Sequence, residues 1–297
     1  MATNAAASDS ADFKIIKRVD EVNLRFTVTD SRGRFQNQLS PADFEVFDNH
    51  EPPAAIHFFQ QQSTLPMRVA VLIDVSSSVA ARFKFEQKAA SVFLQKVLRS
   101  DYDEAFLVSF DEKVHLLVDW TSDPKVAFRR VHELHARGET ALYDAVIFAC
   151  DKLRERATDV ITRPVIILIT DGDDNSSKSI MYDAQQAAAR AEVILFALST
   201  NQLTPDYYPK GEAVLDLLAR SSGGRILPAH QDSDLARAFA QIEQSLRSEY
   251  VVGYQPADLK LDGAFRVVEI RPRRSGLSVH SRRGYYAPVE TAAKQSF

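Results

Sequence analysis

Val69-Ala70-Val71-Leu72-Ile73-Asp74-Val75-Ser76-Ser77-Ser78 is the stretch that decides how the rest of the chain is read. A continuous apolar run, rather than an alternating one, describes a strand buried on both faces, as in a parallel α/β sheet. The run stops at a carboxylate followed by three hydroxyls. In open α/β sheets ligands bind beyond the carboxyl ends of the strands, where Asp74, Ser76 and Ser78 can converge on one point. Oxygen-only donors suit a hard cation such as Mg²⁺ or Ca²⁺. The same residue types also cap helices, so on this stretch alone both readings stand.

Outward from this strand, apolar runs alternate with helical periods, which predicts a doubly wound, mostly parallel α/β sheet. The runs are Val69–Ile73, Ala105–Phe110, Val114–Val118, Val165–Ile169, Val193–Leu198 and a short Arg225–Leu227. Leu142, Ala145, Val146, Ala149, Cys150 and Leu153 share one helix face, which makes Cys150 a small buried hydrophobe. Ala90, Phe93, Leu94, Val97 and Leu98 mark a second helix. Leu235, Ala238, Phe239, Ile242 and Leu246 mark a late one.

On either side the pattern is that of short strands. Val22, Leu24, Phe26 and Val28 alternate with polar residues, and extended pieces follow at Phe44–Phe47 and Ala55–Phe59. After Glu249 come Tyr250–Tyr254, Phe265–Ile270 and Leu277–Ser281, separated by Asp262-Gly263 and Ser275-Gly276 turns. Each flank is too small to bury a core alone. We therefore expect the two flanks to pair into one small β-sandwich-like domain with the α/β unit inserted between them. The expected organisation is a disordered leader at 1–12, an N-terminal β segment at 13–64, the α/β domain at 65–248, a C-terminal β segment at 249–288 and a tail at 289–297.

The 297 residues exceed a typical domain of roughly 100–200. A hydrophobic share of 45% and a charged share of 26% are those of an ordinary globular protein. A net charge of −4 gives no electrostatic case for nucleic acid. A single cysteine excludes both an internal disulfide and a CxxC zinc site. No run is long enough to cross a membrane, and the opening residues carry no secretion signal.

Two further stretches are partners for Asp74. Ile169-Thr170-Asp171-Gly172-Asp173-Asp174-Asn175 again ends an apolar strand in an acid, and Gly138-Glu139-Thr140-Ala141-Leu142-Tyr143-Asp144 opens the cleanest helix. If the strands from Val69 and Val165 are neighbours, they flank the point where strand order reverses, and three loops supply five oxygen ligands.

DxSxS, the Thr of GETALYDA and TDG, in this order and on these elements, resemble the von Willebrand factor type A domain and its metal-ion-dependent adhesion site. The resemblance implies that Asp74, Ser76, Ser78, Thr140 and Asp171 hold Mg²⁺, with Mn²⁺ or Ca²⁺ as substitutes. It further implies that the cation engages an Asp or Glu of a protein ligand, which is binding rather than turnover. The flanking LSPADFEVFDNHEPPAAIHFF, EYVVGYQP and FRVVEIRPRRSGLSVHSRRGYYAP are similar to the von Willebrand A-related proteins described mainly in Acidobacteria, a likeness that implies export to the periplasm or beyond. Ser77 departs from the family pattern, where many members have Gly. Asp144 is expected to favour the first turn of its helix or to brace the metal loop. Asp173, with Asp174 and Asn175, is read as a cap and solvated loop ahead of a second cation site.

The rival from another class is a Mg²⁺-dependent phosphate-handling hydrolase, because an acid beside hydroxyls also suits phosphoryl chemistry. No lysine, general base or nucleophile accompanies Asp74 to support it. A scaffold with an empty site is a third reading. His132-Glu133-Leu134-His135 has its histidines at i and i+3, where a zinc protease helix needs i and i+4. Arg271, Arg273, Arg274, Arg282 and Arg283 are read as a solvated edge.

Overall fold

The computed structural model describes residues 21–62, 65–99, 102–156, 162–201 and 210–289. The expected leader at 1–12 and all of the expected tail except Val289 lie outside these residues.

At the centre are β4 (Met67–Asp74), α1 (Phe83–Val97), β5 (Glu104–Phe110), β6 (Val114–Thr121), α2 (Pro124–His132), α3 (Leu142–Glu155), β7 (Arg163–Thr170), α4 (Met181–Arg190), β8 (Ile194–Ser199), α5 (Lys210–Ser221), β9 (Arg225–Pro228) and α6 (Asp232–Arg247). They are preceded by β1 (Val22–Asp30), β2 (Phe44–Asp48) and β3 (Ala55–Gln62), and followed by β10 (Glu249–Gln255), β11 (Phe265–Pro272), β12 (Leu277–Ser281) and β13 (Gly284–Tyr286).

The central sheet has the order β6-β5-β4-β7-β8-β9. All its pairings are parallel except β5–β6, a hairpin closed by Asp111-Glu112-Lys113. β4 is the pivot, with β5 and β6 built outward on one side and β7, β8 and β9 on the other. The order therefore reverses between β4 and β7, and the crevice opens at the carboxyl ends of these two strands. Val69, Val71 and Ile73 face a layer made by α1, α2 and α6, whereas Ala70 and Leu72 face α3, α4 and α5. Every residue from Val69 to Ile73 has zero exposure, which is why this strand reads as an unbroken apolar run. Burial of each of its Val, Leu and Ile side chains is worth about 1.5–3 kcal/mol.

The flanks build two antiparallel sheets, β12-β1-β10-β3 and β13-β11-β2, in which strands from the two ends of the chain interleave. Between the sheets lie Leu24, Phe26, Val28, Phe44, Val46, Tyr250, Val252, Tyr254, Val268 and Ile270. The aromatic rings stack there, with Phe26 and Tyr250 at 5.5 Å and Phe44 and Phe59 at 5.9 Å. Asp48 is buried in this core and accepts from Tyr254 and Tyr285 hydroxyls, both at 2.8 Å, and from Arg266 Nε at 2.7 Å. The tail arginines pair with acids of the chain itself, Arg271 with Glu269, Arg273 with Glu45, Arg274 with Asp43 and Arg282 with Glu192. Among the described residues no helix is long and apolar enough to cross a membrane.

Candidate functional site

Asp74 is the last residue of β4, and its side chain has zero exposure. The backbone N–H of Ser76 donates to Oδ1 at 2.8 Å, and the Thr170 hydroxyl at the end of β7 donates to Oδ2 at 2.5 Å. These two donors hold the carboxylate against the mouth of the β4–β7 crevice. Burial, offset in part by these donors and reinforced by the charge of Asp171, pushes the Asp74 pKa up to about 6. Ser76 is buried, Ser78 is exposed, and their hydroxyl oxygens lie 3.0 Å apart.

Asp171 follows β7 directly and is partly exposed. Gly172 beside it has φ +86°, and a Cβ there would lie 2.5 Å from the Gly211 carbonyl oxygen, so the turn after Asp171 requires glycine on both counts. Thr140 is buried at the loop leading into α3. Its loop is laced to both neighbours. Ser77 N–H donates to the Gly138 carbonyl at 3.0 Å and Arg137 N–H to the Val75 carbonyl, while Asn175 and Ser176 N–H donate to the Thr140 carbonyl at 3.1 and 3.0 Å. The three loops carrying Asp74, Ser76, Ser78, Thr140 and Asp171 therefore form one hydrogen-bonded rim. The Ser77 side chain is exposed, and its backbone serves that lacing.

The loop after Asp171 has a role that its position in sequence conceals. Asp174 Oδ1 accepts from Leu142 N–H at 2.8 Å and Asn175 Oδ1 from Thr140 N–H at 2.8 Å, so both cap the opening of α3 from across the crevice. The helix capped is α3, and not the one that follows them in sequence. Asp144 accepts from Lys178 and Ser179 N–H at 2.9 and 3.1 Å and thereby ties the same loop down from its other side. Burial raises its pKa, but these N–H donors outweigh burial and hold it below the usual carboxylate range. Asp173 is exposed, and its N–H donates to Asp171 Oδ1 at 3.2 Å. Asp174 and Asn175 thus act as caps, as the sequence reading has them, but on α3, whereas Thr170 is a site residue that pattern reading passed over. The hint for Thr170 was its place immediately before Asp171.

Residues 69–173 match the family model described as the von Willebrand factor type A domain. This central part of the chain belongs to that family. No curated protein matches the chain. Solved structures similar to it include the BatB protein of Bacteroides thetaiotaomicron, with 18% identity and a TM-score of 0.49 over 60% of this chain and 98% of that one. A von Willebrand factor type A protein of Catenulispora acidiphila has 14% identity and a TM-score of 0.49 over 91% and 74%. The PilB minor pilin of Streptococcus sanguinis, solved as its D319A mutant, has 12% identity and a TM-score of 0.50 over 63% and 62%. At 12% identity and a TM-score of 0.50, the likeness to the pilin is one of fold alone.

Within the von Willebrand A domain the chemistry of the donor set is what bears on a metal. Among the described residues neither Asp74 nor Asp171 forms an ion pair, although each acid raises the other's local negative potential. The other candidate ligands, Ser76, Ser78 and Thr140, offer hydroxyl oxygens. Two neighbouring carboxylates without a counter-charge, beside hydroxyls, fit a hard divalent cation. Among the described residues no three His, Cys, Asp or Glu side chains gather at ligating distance, so a cation here would depend on hydroxyl oxygens for most of its shell. Cys150 is buried in α3, where desolvation pushes its thiol pKa far up, and His132 donates to the Phe128 carbonyl at the end of α2.

Proposed function

We propose that the protein is a metal-ion-dependent binding module of the adhesion type, which engages an acidic side chain of a partner protein through a cation held by Asp74, Ser76, Ser78, Thr140 and Asp171. The observation that carries this reading is the pairing of a buried Asp74 with Asp171, without an ion-pair partner among the described residues, at the crevice where strand order reverses. When bound, Mg²⁺ would supply a hard Lewis-acidic centre able to take an oxygen ligand from outside. Mg²⁺ usually keeps some of its waters, and one position would be open to a carboxylate from outside. Thr170 and Ser76 orient Asp74, Asp174 and Asn175 fix the Thr140 loop, and Gly172 sets the approach of Asp171. We read the module as one that binds rather than turns over.

Calorimetric titration with Mg²⁺ or Mn²⁺ tests the reading. One cation should bind to the wild type, and Asp74→Ala should abolish binding. Equal binding by the two proteins would refute the assignment. A protein partner captured in Mg²⁺ should be released by EDTA.

A further inference from the structure

Glu86 lies on the face of α1 that packs against the sheet, at helical spacing with the buried Phe83, Ala90 and Phe93. It has zero exposure. A carboxyl group in such a place must find hydrogen-bond partners or bear its full desolvation penalty. One oxygen has a partner, since Oε1 accepts from the Thr200 hydroxyl at 2.7 Å. Thr200 N–H donates in turn to the Thr170 carbonyl, and the Thr170 hydroxyl donates to Asp74. Glu86 is thus linked through two threonines to the carboxylate at the centre of the site.

The other oxygen, Oε2, is sealed from solvent and has no hydrogen-bond partner among the described residues. Whether the group is ionised or neutral, that atom lacks a partner. Burial first, then the charges of Asp74 and Asp171, raise the Glu86 pKa. Arg82 offsets them only in part, and its guanidinium donates to the carbonyls of His230 and Ala229. Among the described residues no three acids gather at ligating distance, so Glu86 does not join Asp74 and Asp171 as a third carboxylate ligand.

We propose that Glu86 is a positioning residue of the metal site, with Oε2 accepting a hydrogen bond from a water on the cation. The inference rests on the site reading above and adds a residue outside its five positions. Mg²⁺ dehydrates reluctantly and keeps waters, which need acceptors when protein encloses them. Glu86 is a partner for such a water on the inner side of the crevice, where solvent cannot reach.

The test uses the full chain and Mn²⁺ alone as probe, with calorimetry for affinity, the electron paramagnetic resonance line shape of bound Mn²⁺ for its coordination, and thermal unfolding in EDTA for the fold. Glu86→Gln should weaken Mn²⁺ binding by roughly 10–100-fold, the usual effect of losing an outer partner. It should also change the Mn²⁺ line shape while leaving the unfolding temperature in EDTA unchanged or higher. Thr200→Val, which removes the donor that holds Oε1, should give a smaller loss of affinity, and it carries the test if Glu86→Gln does not fold. Wild-type affinity and line shape in the folded variant would overturn the role of Glu86 and leave the metal site standing. A wild type that binds no Mn²⁺ would overturn the site and this inference with it.

Discussion

His280 shows what a single half-buried residue contributes where the β unit meets the α/β unit. It lies on β12 with Nε2 at 3.0 Å from the Thr29 hydroxyl. Burial, and then the charges of Arg225 and Arg220, push its pKa down to about 4 from an ordinary value near 6.5. Between these values the unfolded chain binds a proton that the folded chain refuses, so the contribution is complete above about pH 6.5 and is lost as pH falls toward 4. Urea midpoints for the wild type should fall between pH 7.5 and 5, and His280→Gln should show a shallower fall. Parallel profiles for the two proteins would assign the acid sensitivity elsewhere.

Among the elements, the loop between β7 and α4 does the most to shape the site. It carries Asp171, caps α3 through Asp174 and Asn175, and is held in place by Asp144. Asp174→Ala should cost about 1 kcal/mol of stability by uncapping α3. It should also weaken cation binding, because the same cap fixes the backbone that presents Thr140. Denaturant unfolding in EDTA and Mn²⁺ calorimetry separate the two effects, and unchanged Mn²⁺ affinity would show that Thr140 is set by other contacts. The elements legible in the sequence were those whose periodicity burial enforces: β4 and β7, enclosed on both faces, and α3, with its continuous apolar stripe. α4 escaped notice because its buried face consists of Ala184 and Ala188, while Tyr182 and the preceding Ile180 are exposed. β13 has three residues, too few to show a period. The capping of α3 links residues 32 positions apart, beyond any local pattern. Glu86 could have been found as an acid on an apolar helix face.

For the whole molecule, the arrangement of α6 suggests that the candidate site and the β unit are mechanically continuous. At its start, Arg82, from the turn after the Asp74 loop, donates to the carbonyls of Ala229 and His230, and Lys88 pairs with Asp232. Along its length, Leu235, Phe239, Ile242 and Leu246 pack into the same core as β4 and α1. At its end, Ser248 N–H still donates to the Gln244 carbonyl, and the next residue, Glu249, begins β10. Arg163 binds the Leu246 carbonyl and pairs with Glu249 at 2.8 Å, both side chains being almost wholly buried. A shift of α6 must therefore act on β10, which lies between β1 and β3. The competing view is that α6 is simply locked. Arg163→Met should destabilise the protein by roughly 3–5 kcal/mol, since it leaves a buried charge uncompensated, and adding Glu249→Leu should recover most of that loss. The double variant then keeps the fold without the ionic tie. If the tie transmits the state of the site, Mn²⁺ should change amide exchange in β10 of the wild type by about 5–150-fold, the range of typical coupling energies, and by less in the double variant. β10 exchange that is identical in Mn²⁺ and EDTA in the wild type would mean that α6 is a lock and the β unit a passive mount.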